Sequence, residues 1–170
     1  MMYKLLIKNK IVLGFSICIL FVSCLSQKEK AAYKKSVEQA ITENRFRFIP
    51  QQVNPLRAGL IISPQLLQLD GTYSLKVTPD SLISYLPYFG VAQQQVDYGG
   101  RDSGLSFTST DFTYNKKDGK KGGYEITIQP KNSNNARTMY LSITESGTAT
   151  LNINSNNRDA ISFNGVIEAK

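Results

Sequence analysis

In run after run from Arg45 to the C-terminus the apolar residues of this chain recur at every second position, interrupted by loops and by one short continuous apolar run, Leu60-Ile61-Ile62, and that period excludes most architectures. Phe46 and Phe48 alternate with Arg45 and Arg47, and Leu105 and Phe107 with Ser106 and Thr108. Tyr124, Ile126 and Ile128 follow the same rule, as do Met139, Leu141 and Ile143, then Ala149, Leu151 and Ile153, and finally Ile161, Phe163 and Ile167. Successive side chains of a strand point to opposite faces, so each run has one apolar face and one polar face. That is the pattern of antiparallel sheet with a core on one side and water on the other. Turns recurring at roughly 8–12 residues predict a barrel or a sandwich.

Local signals divide the chain further. Tyr33, Val37, Ala40 and Ile41 fall at helical spacing, which predicts an amphipathic helix over about Lys28–Asn44, preceded by a polar tether over 24–30. Pro50 is expected to end the first strand. Asp70-Gly71, between Leu66–Leu69 and Thr72–Thr78, predicts a tight hairpin with both central residues at positive φ, and Tyr73, Leu75 and Val77 buried. Pro79-Asp80-Ser81 reads as the start of a single helical turn through Tyr85. Gln93–Gly104 is polar and glycine-rich and reads as a surface loop, with a short strand around Val96. The sum is an all-β chain with one N-terminal helix and about eight strands.

The first 24 residues have a different chemistry. Lys4, Lys8 and Lys10 precede the apolar stretch Ile11–Val22, and Ser23-Cys24 closes it. That stretch is short for a membrane span, which needs about 20 apolar residues. The charged, apolar and small-residue order is that of a secretory signal, and the Cys directly after Ser23 resembles a bacterial lipobox. The resemblance implies that residues 1–23 are removed and that Cys24 carries a diacylglycerol. The expected destination is the cell envelope, most directly the outer membrane facing the periplasm, with exposure at the cell surface as the other choice. An ordinary signal peptide, or an anchoring helix, is the plainer alternative.

Removing 23 of 170 residues leaves 147, enough for a single domain over 31–170 with a real core. Three of the 20 basic residues go with the signal, so 17 basic against 13 acidic side chains leave a net charge of +4. That mild excess, in an envelope compartment, argues against a nucleic-acid partner. Cys18 would be lost and Cys24 lipidated, so no disulfide is available to the mature chain. The absence of His excludes Ser-His-Asp and Cys-His nucleophilic sites and every His-ligated metal centre.

Two constellations stand out as candidate sites. The corner Tyr85, Leu86, Pro87, Tyr88, Phe89 and Gly90 brackets aromatics between Pro and Gly. With Tyr98 it is a candidate binding surface at a barrel mouth, or else a plug for the barrel end. Lys116, Lys117, Lys120 and Lys121 form a basic hairpin tip suited to anionic lipid or acidic glycan, although lysines at such tips are commonly just solvated and discourage edge pairing. Asp97 and Asp102 are conceivable Ca²⁺ ligands, but they lack the dense spacing of an EF-hand loop, and no metal or cofactor is assigned. The carboxylates are scattered over turns and outward positions, which leaves a carboxylate-dependent hydrolase as a remote alternative.

The order Arg45-Phe46-Arg47-Phe48, Leu86-Pro87-Tyr88-Phe89-Gly90, Gly104-Leu105-Ser106-Phe107, Gly123-Tyr124-Glu125-Ile126, Ser146-Gly147-Thr148-Ala149 and Arg158–Gly165 resembles the envelope lipoproteins grouped as domain of unknown function 4251, over about residues 30–168. The resemblance implies a lipocalin-like antiparallel barrel. It brings no activity and no functional residues. The expected function is a non-catalytic, lipid-anchored binding or interaction module, with an apolar ligand or an envelope protein as target. An inhibitor or accessory subunit acting through the barrel's outer face is the alternative.

Overall fold

The computed structural model describes residues 27–56, 63–89, 104–131, 133, 136–156 and 158–169. Cys24, Leu60–Ile62, the Val96 strand, Asp97, Tyr98 and Asp102 lie outside these. Helix α1 (27–42) begins the described chain, matching the helix expected over about Lys28–Asn44 and overlapping the end of the tether expected over 24–30. Nine strands follow: β1 (Phe46–Pro55), β2 (Ser74–Val77), β3 (Leu82–Leu86), β4 (Leu105–Ser109), β5 (Phe112–Asp118), β6 (Tyr124–Pro130), β7 (Thr138–Ile143), β8 (Thr148–Asn154) and β9 (Ile161–Ala169). They form one antiparallel sheet in the order β4-β3-β2-β1-β9-β8-β7-β6-β5.

The two edge strands, β4 and β5, are consecutive in sequence and run in the same direction, joined only by Thr110-Asp111. They therefore act as one bent strand whose first half pairs with β3 and whose second half pairs with β6. Following the pairing once round from Leu105 through β3, β2, β1, β9, β8, β7 and β6 returns to this strand near Asp118, about a dozen residues further on. A sheet staggered in this way closes into a barrel. The structure is thus a nearly closed barrel rather than a sandwich.

The alternation sorts side chains as the sequence predicts. Phe48, Leu75, Leu82, Ile128, Met139, Leu151 and Phe163 are fully buried in a single core. Val37, Ala40 and Ile41 of α1 join that core, so the helix covers one end of the barrel. The Tyr33 hydroxyl donates to the Ile167 carbonyl at 2.6 Å, and Lys34 pairs with Glu145 in the β7–β8 turn.

Three local expectations fail for identifiable reasons. β1 continues through Pro50 to Pro55, with a bulge between Pro50 and Gln52. Gly165 sits opposite Pro50, and a Cβ there would overlap the Ile49 carbonyl, so the missing side chain lets the bulged strand approach. Burial then switches from Phe46, Phe48 and Pro50 to Val53, as an extra residue requires.

Asp70-Gly71 makes no hairpin. Only Gly71 has positive φ, at 81°, while the Asp70 carboxylate accepts the Thr72 amide at 3.1 Å. Residues Pro64–Leu67 are a 3-10 turn and not a strand, and β2 pairs with β1 and β3 instead. Of the three side chains expected to be buried there, Leu75 and Val77 are, whereas Tyr73 is only half-buried.

Pro79-Asp80-Ser81 starts no helix. It is the tight β2–β3 turn, closed by Thr78 N–H to the Ser81 carbonyl at 2.9 Å, and Leu82–Leu86 is strand. In both cases residues with capping or turn chemistry served a neighbouring strand pair that the sequence alone did not identify.

Candidate functional site

β3 divides the aromatic corner between two faces. Leu86 points inward and is buried, whereas Tyr85 points outward and is 50% exposed. Pro87, Tyr88 and Phe89 then fold back half-buried, with Tyr88 and Phe89 packed on the core. The Tyr88 hydroxyl donates to the Asp159 carbonyl at 3.2 Å, and the Arg158 guanidinium lies 5.0 Å over the Tyr88 ring. Arg158 also donates to the Gly104 carbonyl at 3.1 Å. These contacts tie the corner to the β8–β9 connection at the end of the barrel away from α1. Tyr85 alone of the described corner residues presents its ring to solvent.

Tyr85 has a companion that the sequence did not reveal. Tyr73, just before β2, stacks on it with ring centroids 5.3 Å apart and planes at 25°. Beside the pair lies a shallow groove of about 340 Å³ on the outer wall, lined by Arg45, Arg47, Ser74, Lys76 and Ile83 among others. Arg47 and Lys76 are directly opposed across β1 and β2. Opposed like charges on neighbouring strands weaken a sheet. Glu168 on β9 offsets part of this at 3.5 Å from Arg47, yet the Arg47 Nε is enclosed without a partner. The alternation of Arg45 and Arg47 was legible in the sequence. Their meeting with Lys76 and Ile83 depends on strand register and was not.

The four lysines of the basic tip are together. Lys116 and Lys117 end β5, and Lys120 and Lys121 form a 3-10 turn in which Lys121 and Gly122 have φ of 52° and 73°. Lys116 lies 5.8 Å over the Tyr124 ring. A cleft of about 230 Å³ separates this tip from α1, lined by Lys34, Glu38, Gly122, Tyr124 and Glu145 among others. The bond to the Glu145 carboxylate holds the Lys34 ammonium above its ordinary pKa. Partial burial, with the Glu38 and Asp118 carboxylates behind it, raises that of Tyr124.

Inside the barrel one polar atom stands out. The Tyr114 hydroxyl, on β5, is enclosed and has no hydrogen-bond partner, and burial pushes its pKa up. The buried hydroxyls of Ser84 and Ser109 are satisfied, by the Leu105 carbonyl at 2.6 Å and the Asp111 carbonyl at 2.9 Å. Among the described residues every carboxylate side chain except half-buried Asp159 belongs to an exposed residue. No three His, Cys, Asp or Glu side chains among them come together as a metal site.

Comparison with known proteins agrees with this architecture. A family model described as "Domain of unknown function (DUF4251)" matches residues 28–167. A crystal structure of a DUF4251 family protein from Bacteroides eggerthii DSM 20697 is similar in fold, with a TM-score of 0.54 at 18% identity over 84% of this chain and 91% of that one. No curated protein matches. On the match over 28–167, the chain belongs to the DUF4251 family.

Proposed function

We propose that the chain is a lipid-anchored, non-catalytic binding module of the cell envelope, whose recognition surface is the outer wall over β1–β3. The observation that carries this reading is the stacked Tyr73–Tyr85 pair, half in solvent beside the cationic groove of Arg45, Arg47 and Lys76. Aromatic rings that are rigid and partly exposed contribute strongly to interfaces, and charge complementarity selects among partners. The target that fits is an envelope protein presenting carboxylates, which suits an accessory or inhibitory subunit. The corner residues Leu86, Tyr88 and Phe89 have their side chains engaged inside the molecule. A second reading is favoured by the unpartnered Tyr114 hydroxyl: an apolar ligand whose single polar group reaches that atom from the barrel interior.

A photo-crosslinking amino acid introduced at Tyr85 in living cells tests the wall surface. It is expected to give one discrete heavier adduct, lost when Arg47→Glu and Lys76→Glu are added. The same group at Tyr140, exposed on β7, is expected to give none. Equal adducts at both positions, or none at Tyr85, would count against the wall surface.

A further inference from the structure

We infer that the end of the molecule formed by the first turns of α1 and the β5–β6 tip is a membrane-facing surface, built to lie on anionic lipid headgroups. The inference rests on lipidation of Cys24 and goes beyond it, because an anchor alone does not orient the body it holds. Only three residue steps separate Cys24 from Gln27, the first described residue of the helix. An extended chain covers at most about 3.5 Å per residue, so a lipid on Cys24 holds the helix start within about 10 Å of the bilayer.

The fold then brings a distant segment to the same place. Lys34, about 10 Å along the helix from its start at 1.5 Å per residue, pairs with Glu145, and Glu145 lies beside Gly122 at the base of the tip. Helix residues 27–35 are all exposed, and they carry Lys28, Lys30 and Lys35 in addition to Lys34. With Lys116, Lys117, Lys120 and Lys121, and setting aside the Lys34–Glu145 pair, seven lysines face four carboxylates: Glu29, Glu38, Asp118 and Glu125. Clustered lysines next to a lipid anchor are attracted to anionic headgroups, and the attraction fades within a Debye length. The lysines of the tip thus complement an anionic bilayer at the one end that the short tether holds against it. The aromatic wall over β1–β3 is left free to the side.

The chain has no tryptophan, so a single introduced indole reports its own depth. Full-length lipidated protein carrying Ser146→Trp, in the β7–β8 turn beside the tip, is compared with the same protein carrying Asn154→Trp at the other end of β8. Both are reconstituted in phosphatidylcholine vesicles containing brominated lipid, with or without phosphatidylglycerol. Quenching of the Ser146→Trp indole is expected to exceed that of Asn154→Trp by about twofold or more in anionic vesicles. The difference should shrink when Lys116, Lys117, Lys120 and Lys121 are all changed to Gln. It should also shrink in the unchanged tip at 1 M salt, where the Debye length is about 3 Å. Equal quenching at the two positions, or a difference indifferent to both the lysines and salt, would overturn the orientation while leaving the anchor in place. Protein that fails to float with vesicles of either composition would overturn the anchor and the orientation together.

Discussion

Gly165 and Gly71 show how differently two glycines constrain the same chain. At Gly165 a Cβ would run into the Ile49 carbonyl and lie 2.8 Å from the Pro50 Cα, both backbone atoms with nowhere to move. At Gly71 nothing lies within 4 Å and only the positive φ of 81° matters. Gly165→Ala is therefore expected to cost about 3 kcal/mol or more, and Gly71→Ala about 1–2 kcal/mol. Urea melts of the two variants compare them, and similar losses would mean that the bulge at Pro50 relaxes. Tyr114 gives a prediction of opposite sign. Its enclosed hydroxyl has no partner, so Tyr114→Phe is expected to raise stability by about 1 kcal/mol. Burial also holds the folded phenol protonated above the pH, about 10, at which the unfolded one ionises. Stability from this group is thus complete below that pH and falls as the pH rises toward the folded pKa, and the Phe variant should lose less at high pH.

At the scale of elements, the alternation of Met139–Ile143 against Ala149–Ile153 through Ser146-Gly147 was readable because one face is buried and the turn is short; Gly147 indeed takes φ of 80°. α1 was readable from Val37, Ala40 and Ile41. The segment from Pro50 to Leu86 was not, because each of its signals has two outcomes. A proline can stop a strand or sit in a bulge, and Asp-Gly can close a hairpin or a wider loop. Which outcome wins depends on the partner strand: Gly165, more than a hundred residues away, decides for Pro50, and β1 and β3 decide for the segment after Asp70-Gly71. The same limit hid the wall surface, since Tyr73 meets Tyr85, and Lys76 meets Arg47, only through the way the strands are set side by side. The β4–β5 kink carries the sharpest prediction at this scale. Burial shifts from Ser109 to Phe112 across Thr110-Asp111, so the kink inserts one residue and restores the inward face. Deleting Asp111 should remove the inserted residue and run β4 straight into β5, keeping Phe112 and Tyr114 in phase with Ser109 but abolishing the bend that lets one strand pair with both β3 and β6. Loss of the cooperative melt is expected; an unchanged melting temperature would show that the bent strand is not needed to close the barrel.

At the scale of the whole molecule, the barrel is filled inside and covered at its ends. The interior holds Phe48, Phe163 and a shell of buried Leu, Ile and Met, with α1 over one end and Tyr88 and Phe89 folded onto the core at the other. The proposed recognition surface accordingly lies on the outside, at Tyr73, Tyr85 and the Arg45–Lys76 groove. Native mass spectrometry of the full-length gene product purified from membranes tests this most directly. The expected result is the mass of the polypeptide from Cys24 onward plus covalent lipid, with nothing else retained. A small molecule bound in one-to-one ratio, released on activation and lost in Tyr114→Phe, would contradict it and move the binding site into the barrel.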